Sequence, residues 1–140
     1  MLKTAIVGAS GYAGNELIRL LSNHPELELV TVTANSEVGQ RVASDFTSNS
    51  DLVFKETTPE NLAGHDVVFI ALPHTKSAEV ADWLDAESLV LDCGADFRLE
   101  SAADYEKFYQ AKHPGTWIYG MPELVISHRK KQRDLIAGAK

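Results

Sequence analysis

Seven residues near the start of the chain constrain its fold most: Gly8-Ala9-Ser10-Gly11-Tyr12-Ala13-Gly14. They follow an apolar run, Ala5-Ile6-Val7, and precede a helical pattern set by Leu17, Ile18, Leu20 and Leu21. Strand, glycine turn and helix in that order make a cradle for phosphate. Glycines let the backbone turn sharply and approach a ligand closely. The helix that follows aims unpaired N–H groups, and the positive end of its dipole, at an anion. The turn therefore points to a bound dinucleotide.

The rest of the chain alternates in the same way. Strands are predicted at Lys3 to Val7, Leu27 to Ala34 and Ser88 to Asp92, with a minor one at Leu52 to Lys55. The strongest is Asp66 to Leu72, apolar without alternation, as in a parallel strand covered on both faces; Ser88 to Asp92 is likewise read as buried. Helices are predicted over Tyr12 to Asn23, stopped by His24-Pro25, over Thr75 to Leu84, over Ala102 to Lys112, and as a basic helix over Ser127 to Ile136. Pro59 to Leu62 reads as a helical turn capped by Thr58. Residues 35–51 read as a polar loop, Trp117 to Tyr119 as short and extended. No repeat or low-complexity linker interrupts the order. The predicted fold class is α/β: a Rossmann-like, doubly wound, mainly parallel sheet with helices on both faces.

At 140 residues the chain suits one domain with a sizeable core. Its net charge of −7 argues against a nucleic-acid or membrane-surface partner. No apolar run approaches the roughly 20 residues of a membrane span. The N-terminus enters a strand directly, so no signal peptide is read, and the single Cys93 fits a cytoplasmic setting. His24, His65, His113 and His128 show no metal-ligand spacing with Cys93, so no metal is expected.

The usual dinucleotide turn is G-x-G-x-x-G. Those three places hold Gly8, Ser10 and Ala13, while the glycine spacing present is Gly8, Gly11 and Gly14. An acid at the tip of the second strand would bond a ribose 2′-hydroxyl and repel a 2′-phosphate. Here the tip is Thr33-Ala34-Asn35-Ser36; Asn35 and Ser36 can donate to a phosphate, Arg41 follows, and Glu37 is the one contrary charge. The balance favours NADP (NADPH) over NAD. The alternative for Arg41 is an ordinary solvated loop residue.

Three later motifs join the turn: Ala71-Leu72-Pro73-His74, Asp92-Cys93-Gly94-Ala95-Asp96-Phe97-Arg98, and Tyr119-Gly120-Met121-Pro122-Glu123. The four together, in order and over nearly the whole chain, resemble the N-acetyl-gamma-glutamyl-phosphate reductases of arginine biosynthesis. The sibling aspartate-semialdehyde dehydrogenases share the glycine turn, but the Ala-Asp-Phe-Arg and Tyr-Gly-x-Pro-Glu pair is not expected of them. The resemblance implies an oxidoreductase that reduces an acyl phosphate, N-acetylglutamyl 5-phosphate, to N-acetylglutamate 5-semialdehyde with NADPH, by way of a cysteine nucleophile. That cysteine, in a Pro-Gly-Cys turn, and an acid/base histidine are expected beyond residue 140. Residues 1–140 are then the NAD(P)-binding domain alone, without the catalytic and dimerisation domain, inactive by itself, and drawn from a homo-oligomeric parent. The resemblance departs at Asn35, where relatives often carry an arginine for the 2′-phosphate. Two other readings stand beside it: a stand-alone, non-catalytic dinucleotide-binding module, and a sibling semialdehyde dehydrogenase.

No catalytic residue is assigned within the chain. Cys93, at a strand end where the family often has serine, is read as a small packed residue. The candidate cofactor-binding residues are Gly8, Ser10, Gly11, Tyr12, Ala13, Gly14, Asn35, Ser36, Arg41, Leu72, Pro73 and His74. His74 either lines the cofactor or is a loop residue without a role. Asp96 and Arg98 either shape the pocket or form an ion pair that pins their loop. Tyr119 to Glu123 reads as a tight turn in which Glu123 contacts substrate or caps the next helix. The basic run His128 to Arg133 is read as a solvated helix face, and Tyr105, Phe108, Tyr109 and Trp117 as core or domain-interface aromatics.

Overall fold

A computed structural model describes residues 1–140 apart from Ser44, Ser50, Arg129 and Lys140. The first strand, β1 (Leu2–Val7), explains the architecture. Its last four residues are buried although their side chains alternate in direction. Ala5 and Val7 enter one apolar cluster, Ile6 another. Helix α1 (Tyr12–Leu21) brings Ile18 and Leu21 to the Ile6 cluster, where Val32 of strand β2 (Leu27–Thr33) also packs. The opposite cluster receives Leu62 from α2 (Pro59–Leu62) and Val80 from α3 (Ser77–Ala81). Helices therefore cover both faces, and Ala5-Ile6-Val7 reads as a continuous apolar run because neither face meets water there.

Strands β3 (Phe54–Lys55), β4 (Val67–Ile70) and β5 (Leu89–Asp92) complete the sheet. Among the described residues its order is β3-β2-β1-β4-β5, with every pair parallel. The chain winds outward from β1 to β3, then returns to β4 on the other side of β1. That reversal makes the carboxyl ends of β1 and β4 the crevice where open α/β sheets receive ligands. Beyond the sheet lie α4 (Ala102–Tyr109), a hairpin of β6 (Val125–Ser127) and β7 (Lys130–Lys131), and the short α5 (Arg133–Ile136).

The caps follow the sequence. Thr58 accepts a hydrogen bond from the Asn61 N–H at the start of α2, and Ser101 does the same for Asp104 at the start of α4. Gln110, with φ of 53°, ends α4 earlier than the apolar pattern suggested.

Two expectations are corrected. The strand at Ser88 to Asp92 is half-open: Leu89 and Leu91 are 41% and 39% exposed. Strand β5 lies at the sheet edge, and only Val90 turns toward a helix-covered cluster. The basic helix at Ser127 to Ile136 is a hairpin followed by one helical turn. Like charges crowded along one helix repel. Lys131 of β7 and Arg133 at the start of α5 both reach the Glu123 carboxylate instead. Arg129 lies outside the described residues. Of the two readings for the aromatics, Phe108, 65% exposed, keeps only the domain interface, whereas Tyr105 is fully buried in the core.

Candidate functional site

The glycine turn sits at the crevice between β1 and β4. Val7 pairs with Ile70, and the Ala71 N–H donates to the Val7 carbonyl at 2.8 Å. On the other side, the Ala9 N–H donates to the Thr33 carbonyl, also at 2.8 Å, tying the turn to the tip of β2. The Asn15 amide reaches the Ser10 carbonyl from within α1 at 3.4 Å.

The three glycines have different reasons to be glycine. Gly8 has φ of +79°, and a Cβ there would lie 2.7 Å from the Ala71 carbonyl oxygen. At Gly14 a Cβ would meet the backbone of Ala9 and Gly8 at 2.5 Å. Both are demanded by the packing of turn, strand and helix. Gly11 is not: its φ is −77°, and a Cβ would meet only the Gly8 carbonyl oxygen, at 3.8 Å. It is exposed and stands at the N-cap of α1, where no side chain caps the helix and no acid occupies the first turn. Tyr12 and Ala13 beside it are also exposed. The result is an open, uncapped helix start, suited to a phosphate group.

The other side of the crevice is built from Leu72, Pro73 and His74 after β4. Leu72 is half-buried, with its Cδ2 facing the Gly8 position, while Pro73 and His74 are exposed. The His74 ring lies 5.4 Å from that of Tyr109, which also packs at a tilt against the buried Tyr105. Thr75, next in line, has φ of 69°, a strained value for a β-branched residue. Asp96 holds it there. Its fully buried carboxyl accepts from the Thr75 N–H at 2.6 Å, from the Ala78 N–H at 3.1 Å and from the Tyr105 hydroxyl at 3.4 Å. The loop is pinned through backbone donors, then, not by an Asp96–Arg98 ion pair. Arg98 turns instead to the Gly94 carbonyl. Thr75 carries no glycine-like signal in the sequence, and Asp96's backbone partners lie about twenty residues upstream of it, so neither role was legible.

Asn35 and Ser36 are exposed at the tip of β2. Arg41 pairs with Val53 in an isolated bridge, and its guanidinium lies 3.8 Å from Asp51. Glu37 is half-buried, and its carboxylate takes the Ser36 hydroxyl at 2.6 Å. The hydroxyls of Ser36 and of Ser10 in the glycine turn hold the Glu37 carboxyl below the usual range. Cavities of about 320 Å³ against the hairpin and about 210 Å³ beside the start of β2 lie away from the turn.

The family model for the NAD-binding domain of semialdehyde dehydrogenase matches residues 3–132. The chain belongs to that family. Semialdehyde dehydrogenase NAD-binding domains are also its structural neighbours in fold. Aspartate semialdehyde dehydrogenase with NADP from Candida albicans superposes with a TM-score of 0.60 at 23% identity, over 81% of this chain and 40% of that one. The second enzyme of that name from Vibrio cholerae, complexed with ASA, gives 0.56 at 12% identity, over 83% and 37%. Sequence relatives are nearer. The N-acetyl-gamma-glutamyl-phosphate reductase of Leifsonia xyli is 51% identical over 97% of this chain and 40% of its own length. Those of Thermobifida fusca and Streptomyces coelicolor are both 54% identical, over 86% and 88% of this chain and 36% and 37% of their own lengths. The chain thus spans about two fifths of the curated relatives it matches.

Within this semialdehyde dehydrogenase domain, Cys93 is exposed, but partial burial of its sulfur and the neighbouring Asp92 raise its thiol pKa. That is the reverse of an activated nucleophile. Asp92 itself is raised, chiefly by burial, while the Gly94 N–H and the Ser77 hydroxyl oppose the shift. Glu123 pairs with Lys131 and Arg133 and does not cap α5, whose N-cap Gln132 makes no side-chain cap. Among the described residues no group of histidine, cysteine and carboxylate side chains could hold a metal, and no helix is long and apolar enough to cross a membrane.

Proposed function

We propose that residues 1–140 are the NADP-binding unit of an N-acetyl-gamma-glutamyl-phosphate reductase. The observation that carries the binding function is the open start of α1. Gly8 and Gly14 are accounted for by packing, whereas Gly11 leaves space that nothing in the chain fills. A diphosphate fits there against the N–H groups of Tyr12, Ala13 and Gly14, with Leu72, Pro73 and His74 on the far wall and Asn35 and Ser36 at the adenosine end. When bound, the nicotinamide supplies or accepts a hydride. The chain's own part is to hold and orient it, the β1–β4 crevice fixing one end and the β2 tip the other. NADP is preferred over NAD on this reading because Asn35 and Ser36 offer donors to a 2′-phosphate; the Candida albicans neighbour was solved with NADP. Arg41, exposed and 3.8 Å from Asp51, stays a candidate donor to the 2′-phosphate.

Reduction of N-acetylglutamyl 5-phosphate as the parent reaction is supported by the reductases about half identical to this chain; a homo-oligomer in the cytoplasm is the setting proposed for it. The raised thiol pKa of Cys93 supports a nucleophile elsewhere than these residues. Calorimetric titration of the 140-residue chain with NADP and with NAD is the test. Saturable binding, tighter for NADP, is expected. Absence of binding to either would overturn the cofactor reading, and acyl-phosphate reduction by these residues alone would overturn the placement of the nucleophile.

A further inference from the structure

The tip of β2 already holds an anion. The Ala9–Thr33 backbone bond brings the glycine turn against this tip, and three residues past Ala34 the Glu37 side chain folds back, half-buried. Its Oε2 lies 2.6 Å from the Ser36 Oγ. The Ser10 hydroxyl also acts on it, from the glycine turn itself. A hydroxyl that donates to this carboxylate is not free to donate to anything else, since it has one proton to give. The residue type matters as much as the contact. A carboxylate beyond the second strand accepts from a ribose hydroxyl and repels a phosphate.

We propose that Glu37 is a specificity-determining residue: its carboxylate stands in the place of the cofactor's 2′-phosphate and claims the Ser36 hydroxyl that the phosphate would use. NADP must displace Glu37, whereas NAD leaves it where it is. The donors of the tip favour NADP and the acid opposes it, so the preference of the native chain is narrowed. Discrimination built from an attractive and a repulsive element together is common in selective sites. The inference rests on the dinucleotide reading of the turn.

The experiment is titration of the 140-residue chain and its Glu37→Gln variant with NADP and NAD at one fixed ionic strength. Glutamine keeps the size of the side chain and removes its charge. The Glu37 carbonyl that accepts from the Gln40 N–H is backbone and stays in place. The expected result is a shift of the NADP-to-NAD affinity ratio toward NADP by about tenfold, equivalent to about 1.4 kcal/mol. Adding Ser36→Ala to Glu37→Gln should cancel most of that gain, because the released hydroxyl is what the phosphate takes up. An unchanged ratio in Glu37→Gln, or a shift toward NAD, overturns the role of Glu37 and leaves the dinucleotide reading intact. Loss of all binding in the native chain overturns both.

Discussion

At the scale of single residues, the glycines separate what the fold needs from what a ligand needs. A methyl group at Gly14 would lie 2.5 Å from backbone atoms of Ala9 and Gly8, which cannot move without breaking the turn. Gly14→Ala is therefore expected to destabilise the chain by about 3 kcal/mol or more, a large share of a small domain's stability. Gly11→Ala should change stability by no more than about 1 kcal/mol, since its Cβ has room. It should nevertheless lower dinucleotide affinity at least tenfold, because the new methyl stands on the open face of α1. Urea midpoints and calorimetric titrations of the two variants check this; comparable loss of stability in both would show that Gly11 is also a packing glycine. The spacing of the three glycines was legible in the sequence. Their different duties were not, because these depend on how closely Ala71 and Ala9 approach.

At the scale of elements, the sheet and its first helix were legible because burial on both faces writes an unbroken apolar run in the second half of β1 and in β4. The Thr58-Pro59 cap of α2 was legible because it is local. The β6–β7 hairpin was not. Its residues carry no apolar period, and it is closed by backbone bonds from the Gln132 N–H to the Leu124 carbonyl at 2.8 Å and from the Arg133 N–H to the Pro122 carbonyl at 3.2 Å, which Glu123 joins from the surface by pairing with Lys131 and Arg133. The start of α3 shows the same limit. Lys76 gives it no side-chain cap, and that duty falls to Asp96, about twenty residues later and on a different loop. Asp96 also pays for the strained Thr75 that shapes the wall of the crevice. Asp96→Ala would leave the Thr75 and Ala78 N–H groups without their acceptor, and should cost about 2–3 kcal/mol. Asp96→Asn, with one carbonyl oxygen left to accept, should cost less. Chemical denaturation of both measures the difference, and an alanine variant as stable as the native chain would show that the loop has another anchor.

For the molecule as a whole, winding the sheet outward from β1 gathers the strands' carboxyl ends at one edge. Carboxylates collect there too: Glu37 after β2, Asp92 at the end of β5, and Asp96 just beyond. Burial is the main cost of charging Asp92 and repulsion from Asp96 adds to it, so its pKa stands above the usual aspartate range despite the Gly94 N–H, the Ser77 hydroxyl and nearby Arg98. The sign follows from linkage. A carboxyl that is harder to ionise when folded weakens the fold once it is charged. That penalty is absent below the unfolded value, grows as pH rises through the raised folded value, and is complete above it. Glu16, Glu37, Glu60 and Glu123 shift the other way: their contribution is present above their unfolded value of 4.5 and is lost as pH falls through their lowered folded values. Comparing the native chain with Asp92→Asn cancels those four and isolates Asp92. Asparagine keeps a carbonyl oxygen for the Gly94 N–H and the Ser77 hydroxyl, both of which meet Oδ1. The variant should be at least as stable as the native chain at pH 7, with an advantage that shrinks as pH is lowered toward 4. Urea midpoints across that range decide it: a difference that does not change with pH would mean that Asp92 ionises as easily in the folded chain as in the unfolded one, and that the acidic edge costs the fold nothing.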